Sequence, residues 1–192
     1  MIKINHLKDL VLVTSKENKL KEFQRYGISD LKMEKGLDLQ EVQSDEITVV
    51  LHKAKTAGKN RIVEDTSLHI EGENVGVNVK WMLDNIHEFA GKSAYWEVLI
   101  GLNDGDSIRI YRGRTYGTIV KNEEFLDESI FGFDANFRVK GIGKTLHELE
   151  KEGIKDNHSA RKDATFELCN NNYFYSIDIA NILEWTGQYQ NS

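Results

Sequence analysis

The 192-residue chain has no proline and one cysteine, Cys169, and each scarcity narrows the possibilities. A lone thiol rules out an internal disulfide and any Cys-x-x-Cys knuckle, and it fits a reducing compartment. The histidines His52, His69, His87, His147 and His158 are scattered without an HxxxH spacing, so no zinc pattern is present. There is no Gly-x-Ser-x-Gly elbow and no Gly-Lys-Ser/Thr phosphate loop. No charged-apolar-small leader opens the chain, and no apolar run nears the roughly 18 residues that cross a bilayer. The expectation is a cytoplasmic protein with no membrane partner. Acidic residues outnumber basic ones, 31 to 25, for a net charge of -6. That balance argues against a broad duplex nucleic-acid surface, while allowing a local cationic pocket for a small phosphorylated ligand. The missing proline carries no functional conclusion.

What is present is ordinary for a globular chain: 40% hydrophobic and 29% charged residues. The length suits one domain, 1–192, built of two lobes. Such a chain buries about 70% of its unfolded surface and needs no staple. Leu10 to Val13 reads as a short strand apolar on both faces, and Thr14 or Ser15 is placed to cap the following helix. That helix carries Leu20 and Phe23 on one face and ends at Gly27. Ile47, Val50, Leu51 and Ala54 have helical spacing within a second helix, Asp45 to Ala57. "RIVEDTSLHIEG" reads as strand, polar interruption and strand, and "KWMLDNIHEFAG" as a short helix. Tyr95–Leu102 and Ser107–Val120 are strands joined through "NDGD", a strong hairpin signal. Thr145 and Glu148 form a capping box, a further helix starts near Ser159, and Tyr173–Trp185 is open to strand or helix. Alternating strands and helices with a long hairpin predict an α/β domain with a mixed sheet.

Three stretches can carry chemistry, each with a plainer reading beside it. "VTSKENKLKEF" runs from a strand into a helix start, where free N–H groups and the dipole attract phosphate. Lys16 and Lys19 would join them, or else form a solvated face. In "VEDTSL", Glu64 and Asp65 point to opposite sides of an extended chain, so a metal site needs a carboxylate from Asp38, Glu41, Asp45 or Glu46. Such hard oxygen ligands suit Mg²⁺; the alternative is a surface turn. "IFGFDANF", with Lys155, Arg161 and Lys162 downstream, is a stacking platform beside an acid, or a pair of core rings.

Taken in order, "VTSKENKLKEF", "LDLQEVQSDEI", "VEDTSL", "VKW", "GKSAY", "RIYRGRTYGTIV", "FGFD" and "KDNHSARKDA" resemble the inosine/xanthosine triphosphate pyrophosphatases, from about Val11 to Ala164. The resemblance implies an elongated mixed sheet flanked by helices, two lobes enclosing a nucleotide-binding cleft, and a homodimer. It places the phosphate loop on Thr14, Ser15, Lys16 and Lys19. Metal binding falls on Glu41 with the acidic pair Glu64 and Asp65, and Asp65 also activates water. Lys80 becomes a ligand contact. Base binding falls on Phe131, Gly132, Phe133 and Asp134, with Lys155, Ser159, Ala160 and Arg161 closing the site.

The implied reaction hydrolyses ITP, dITP or XTP to monophosphate and pyrophosphate with Mg²⁺, Asp65 and Lys19 being catalytic. Arg161 would donate to a 6-oxo group and Asp134 accept from N1–H, a pattern adenine reverses. The sequence departs from the family at Ser15 for glycine, Lys16 for asparagine, Phe133 for tryptophan and Ala160 for histidine. Val75 and Ala135 replace prolines. These changes leave the phosphate and metal positions in place and bear on base selectivity. Two other readings stand beside this one: the same reaction on a different base, and a non-catalytic nucleotide-binding protein.

Overall fold

The computed structural model describes residues 7–35, 39–73, 85–121 and 132–190. Asp38, Val75, Lys80 and Phe131 lie outside the described residues, as does the start of "KWMLDNIHEFAG". Within them the strands are β1 (Val11–Val13), β2 (Lys32–Glu34), β3 (Arg61–Ile70), β4 (Ser93–Asn103), β5 (Ser107–Ile119), β6 (Phe137–Val139) and β7 (Tyr175–Asp178). The helices are α1 (Glu17–Arg25), α2 (Glu46–Ala57), α3 (Leu146–Lys151) and α4 (Ala160–Cys169), with 3-10 turns at Ile86–Phe89, Lys155–His158 and Ile179–Asn181. The sheet order is β2-β1-β3-β4-β5-β6, with β7 also on β5. β1 is parallel to β2 and β3, whereas β6 and β7 run antiparallel to β5. This is the mixed α/β sheet the sequence predicts. No helix of the described residues is long and apolar enough to cross a membrane.

Two compact units divide the chain: Met1–Asp65, Val98–Gly113 and Arg161–Ser192 in the first, Thr66–Glu97 and Arg114–Ala160 in the second. The core of the first unit joins Val13, Val50, Leu51, Ala54, Val63, Leu99, Ile108, Ile110 and Ile182. Asp45 caps α2 by accepting from the Thr48 N–H at 3.0 Å, so this helix begins where its sequence signal stands. Gly101 lets α2 lie close on β4: a Cβ there would meet Val50 Cγ1 at 2.7 Å. In the second unit, Trp96, Phe133 and Phe137 pack ring against ring, and the capping box of α3 forms between Thr145 and Glu148. His69 stacks on Tyr95 with ring centroids 4.4 Å apart, which accounts for one scattered histidine as packing.

Three local expectations change. β3 runs unbroken through Glu64 and Asp65, because each acid meets cations from neighbouring helices and has no need to turn outward. Neither Thr14 nor Ser15 caps α1. Lys16 occupies the cap position, and the Thr14 hydroxyl accepts from its N–H at 3.2 Å. Of "KWMLDNIHEFAG", the described part is a 3-10 turn at Ile86–Phe89.

Gly101→Val is expected to destabilise the protein by about 2–3 kcal/mol through overpacking against α2, read from the midpoint of urea unfolding. An unchanged midpoint would show that α2 is free to shift.

Candidate active site

Strand β1 delivers the chain to the start of α1, where Ser15 and Lys16 are exposed and no side chain caps the first turn. The Lys19 N–H donates to the Lys16 carbonyl at 3.2 Å, and no side chain caps the turn before it, an arrangement that favours an anion beside Lys16. One turn on, Lys19 leans back over β3 and pairs with Glu64, Nζ to Oε2 at 2.6 Å. Glu64 also accepts from Arg161 Nη2 at 3.2 Å, and the other arm of Arg161 pairs with Glu22 of α1. Arg161 is 7% exposed, and its Nε has no partner among the described residues. Its two carboxylates hold it charged, raising its pKa against the cost of burial.

On the opposite side of β3, Asp65 faces α2. Lys53 Nζ reaches Asp65 Oδ1 at 3.0 Å and Glu41 Oε1 at 2.9 Å, so two acids 24 residues apart in sequence converge on one cation. Burial pushes the Asp65 carboxyl above the usual carboxylate range; the Lys53 ammonium opposes that, and the charges of Glu41 and Glu64 add to it. Lys53 is itself 9% exposed, and the two carboxylates raise its pKa despite burial. Strand alternation thus separates Glu64 from Asp65. Glu64 pairs with Lys19 and Arg161, on the other side of the strand from Asp65. Among the described residues no three His, Cys, Asp or Glu side chains gather as a metal cage.

The second unit holds the other expected residues. Asp134 is buried and pairs with Lys155 Nζ; burial raises its pKa, and the lysine works against that rise. Phe133 is 7% exposed, edge-on to Trp96 at 6.0 Å and tilted against Phe137, so in this structure it is a core ring. Its neighbours Asp134, Ala135, Asn136 and Phe137 are buried with it. Gly132 is exposed at φ 56°, a left-handed position suited to glycine. Ser159 and Ala160 are buried, and the Thr115 hydroxyl donates to the His158 carbonyl just before them at 2.8 Å.

A model described as the Ham1 family matches residues 10–171. The chain belongs to the Ham1 family. An inosine triphosphate pyrophosphatase of Scheffersomyces stipitis is 31% identical over 181 residues, covering 85% of this chain and 91% of that protein. One from Batrachochytrium dendrobatidis is 32% identical over 176 residues, covering 82% and 90%. The solved Ham1 protein of Staphylococcus aureus superposes with a TM-score of 0.65 at 19% identity, over 84% of this chain and 96% of that one, a likeness of fold.

Within this Ham1 chain, sequence reasoning missed Lys53 and Glu22. Both are single charged residues in helices that carry several, so no motif marks them. Spacing alone offered one clue for Lys53: it lies on the same α2 face as Val49 and Val50, among buried residues.

Asp65 gives a pH test. Its raised folded pKa means the native state binds that proton more tightly than the unfolded chain, so the burial cost is full at neutral pH and disappears as pH falls below the unfolded value of 3.8. Relative to wild type, the urea midpoint of Asp65→Asn is expected to be higher at pH 7 than at pH 4. A difference independent of pH would exclude the raised pKa.

Proposed function

We propose that this Ham1 chain is a nucleoside-triphosphate pyrophosphatase acting on ITP, dITP and XTP, releasing the monophosphate and pyrophosphate. The observation that carries the reading is the convergence of Glu41 and Asp65 on a single positive charge. Two carboxylates fit Mg²⁺, which commonly takes one or two from protein and completes its shell with water and substrate phosphates. Glu41 and Asp65 would hold it, and when bound it neutralises phosphate charge and lowers the pKa of bound water.

The chain's own groups do the rest. Asp65, its pKa raised by burial, is a stronger base than an exposed carboxylate and would accept the proton of the attacking water. Lys19, Lys16 and the open start of α1 hold the leaving pyrophosphate, since positioning and electrostatics dominate phosphoryl transfer. Lys53 holds Glu41 and Asp65 together until substrate arrives. On the base side, Asp134, paired with Lys155, accepts from the N1–H of a 6-oxo purine. Adenine has no proton there, so its N1 would meet that carboxylate with no hydrogen bond between them. A homodimer and a cytoplasmic location belong to the same proposal.

A second reading, a non-catalytic nucleotide-binding protein, draws support from Lys53, whose ammonium already satisfies both acids. Pyrophosphate release from ITP, dITP, XTP, GTP, ATP, dTTP and UTP, with Mg²⁺ and with chelator, separates the two. The proposal expects Mg²⁺-dependent release favouring the first three. Asp65→Asn should lose at least about a hundredfold in kcat. Tight ITP binding without release would establish the binder, and release confined to dTTP or UTP would move the substrate.

Lys53→Met tests the cation fit without turnover. It removes the ammonium that the two acids share, and stability is expected to fall by about 3 kcal/mol in chelator, with Mg²⁺ restoring part of the loss. The same loss with and without Mg²⁺ would count against a metal held by Glu41 and Asp65.

A further inference from the structure

The family match ends at residue 171, yet the chain continues as an ordered segment of the first unit. β7 adds a strand to β5, pairing Ser107 with Asp178 through Ile110 with Tyr175. Ile182 then enters the core at 7% exposure. The segment next crosses α2: Lys55 Nζ donates to the Ile182 carbonyl at 3.0 Å and to Glu184 at 2.6 Å, and Trp185 sits edge-on to His52 at 5.7 Å. The Trp185 indole N–H closes a turn onto the Gln188 carbonyl at 2.9 Å.

Past that turn the chain reaches the loop carrying Glu41. Val42 and Tyr189 form an antiparallel bridge. The Gln43 N–H donates to the Gln188 carbonyl at 2.9 Å, and the Gln190 N–H donates to the Glu41 carbonyl at 2.8 Å. The Gln190 side chain adds a bond from Nε2 to the Val42 carbonyl at 3.1 Å. Glu41 lies on irregular backbone outside every strand and helix, so its carboxylate has no sheet or helix of its own to fix it. Three of its loop's backbone groups are held instead by residues 188–190. The same segment is anchored on α2, the helix that presents Lys53 to that carboxylate.

We infer that residues 182–190 are a positioning strap for Glu41, a device added outside the family's matched region that sets the affinity of the Glu41–Asp65 pair for a divalent cation. Gln190 is its positioning residue, acting through the Glu41 backbone and touching no reacting atom. This inference rests on the proposal that Glu41 binds the cation. A metal ligand loosely held by its backbone loses affinity because ordering it must then be done by the ion.

The experiment uses the full chain and two variants. Gln190→Pro removes the N–H that bonds Glu41 and keeps every anchor on α2. A chain ending at Gly187 removes the whole bridge. Mg²⁺ binding to the nucleotide-free protein is measured by calorimetry, alongside the Mg²⁺ dependence of pyrophosphate release and the thermal midpoint. Both variants are expected to weaken Mg²⁺ binding about tenfold, the lower end for residues that orient a ligand. The half-saturating Mg²⁺ for turnover should move by the same factor, with kcat at saturating Mg²⁺ within about twofold of wild type. Mg²⁺ affinity unchanged in Gln190→Pro and in the shortened chain, while Glu41→Gln abolishes it, overturns the strap and leaves the cation site standing. Unchanged affinity in Glu41→Gln overturns both.

Discussion

A buried ammonium shared by two carboxylates organises the first unit. Burial works against the charge of Lys53, and Glu41 and Asp65, closing on it from a loop and a strand, raise its pKa instead. Buried Asp65 meets the same ammonium and still carries a raised pKa. Such a trio gains little net stability over an apolar replacement, since solvation lost offsets Coulomb energy gained. Its value lies in placing two negative charges together at a fixed point. A catalytic reading of the chain requires that placement.

A second charged chain runs on the other face of β3, alternating in sign from Glu22 to Arg161 to Glu64 to Lys19. It ties α4 and α1 to the strand through groups that are mostly buried. Glu64 and Asp65 are adjacent in sequence but serve separate circuits, so the acidic pair is two half-sites facing away from one another. This arrangement explains how β3 stays continuous through consecutive acids. It also explains why Arg161, assigned by resemblance to the base, is held by carboxylates in this structure. Among the departures from the family, Ser15 and Lys16 are exposed, while Phe133 and Ala160 are buried.

The C-terminal run adds to the family pattern without disturbing it. Its apolar residues extend the sheet and the core, and its backbone completes the hydrogen bonding of the loop at Glu41. Unpaired backbone in a loop beside a charged site costs free energy whether or not it carries function. Here the pairing and the positioning are one set of bonds.

Much of this was readable in the chain. The caps at Asp45 and Thr145, the Asp-Gly hairpin, the apolar stripe of α2 and the opposed directions of Glu64 and Asp65 all follow from local stereochemistry over a few residues. The order of eight short segments identified the family. Tertiary structure alone assigned Lys53 to Glu41 and Asp65, Glu22 to Arg161, and residues 188–190 to the Glu41 loop. The physical reason is range. Turn, cap and periodicity are decided between neighbours, where the sequence is explicit. An ion pair depends on which distant surfaces a sheet brings within about 4 Å, and one solvated lysine looks like another until the chain has folded around it.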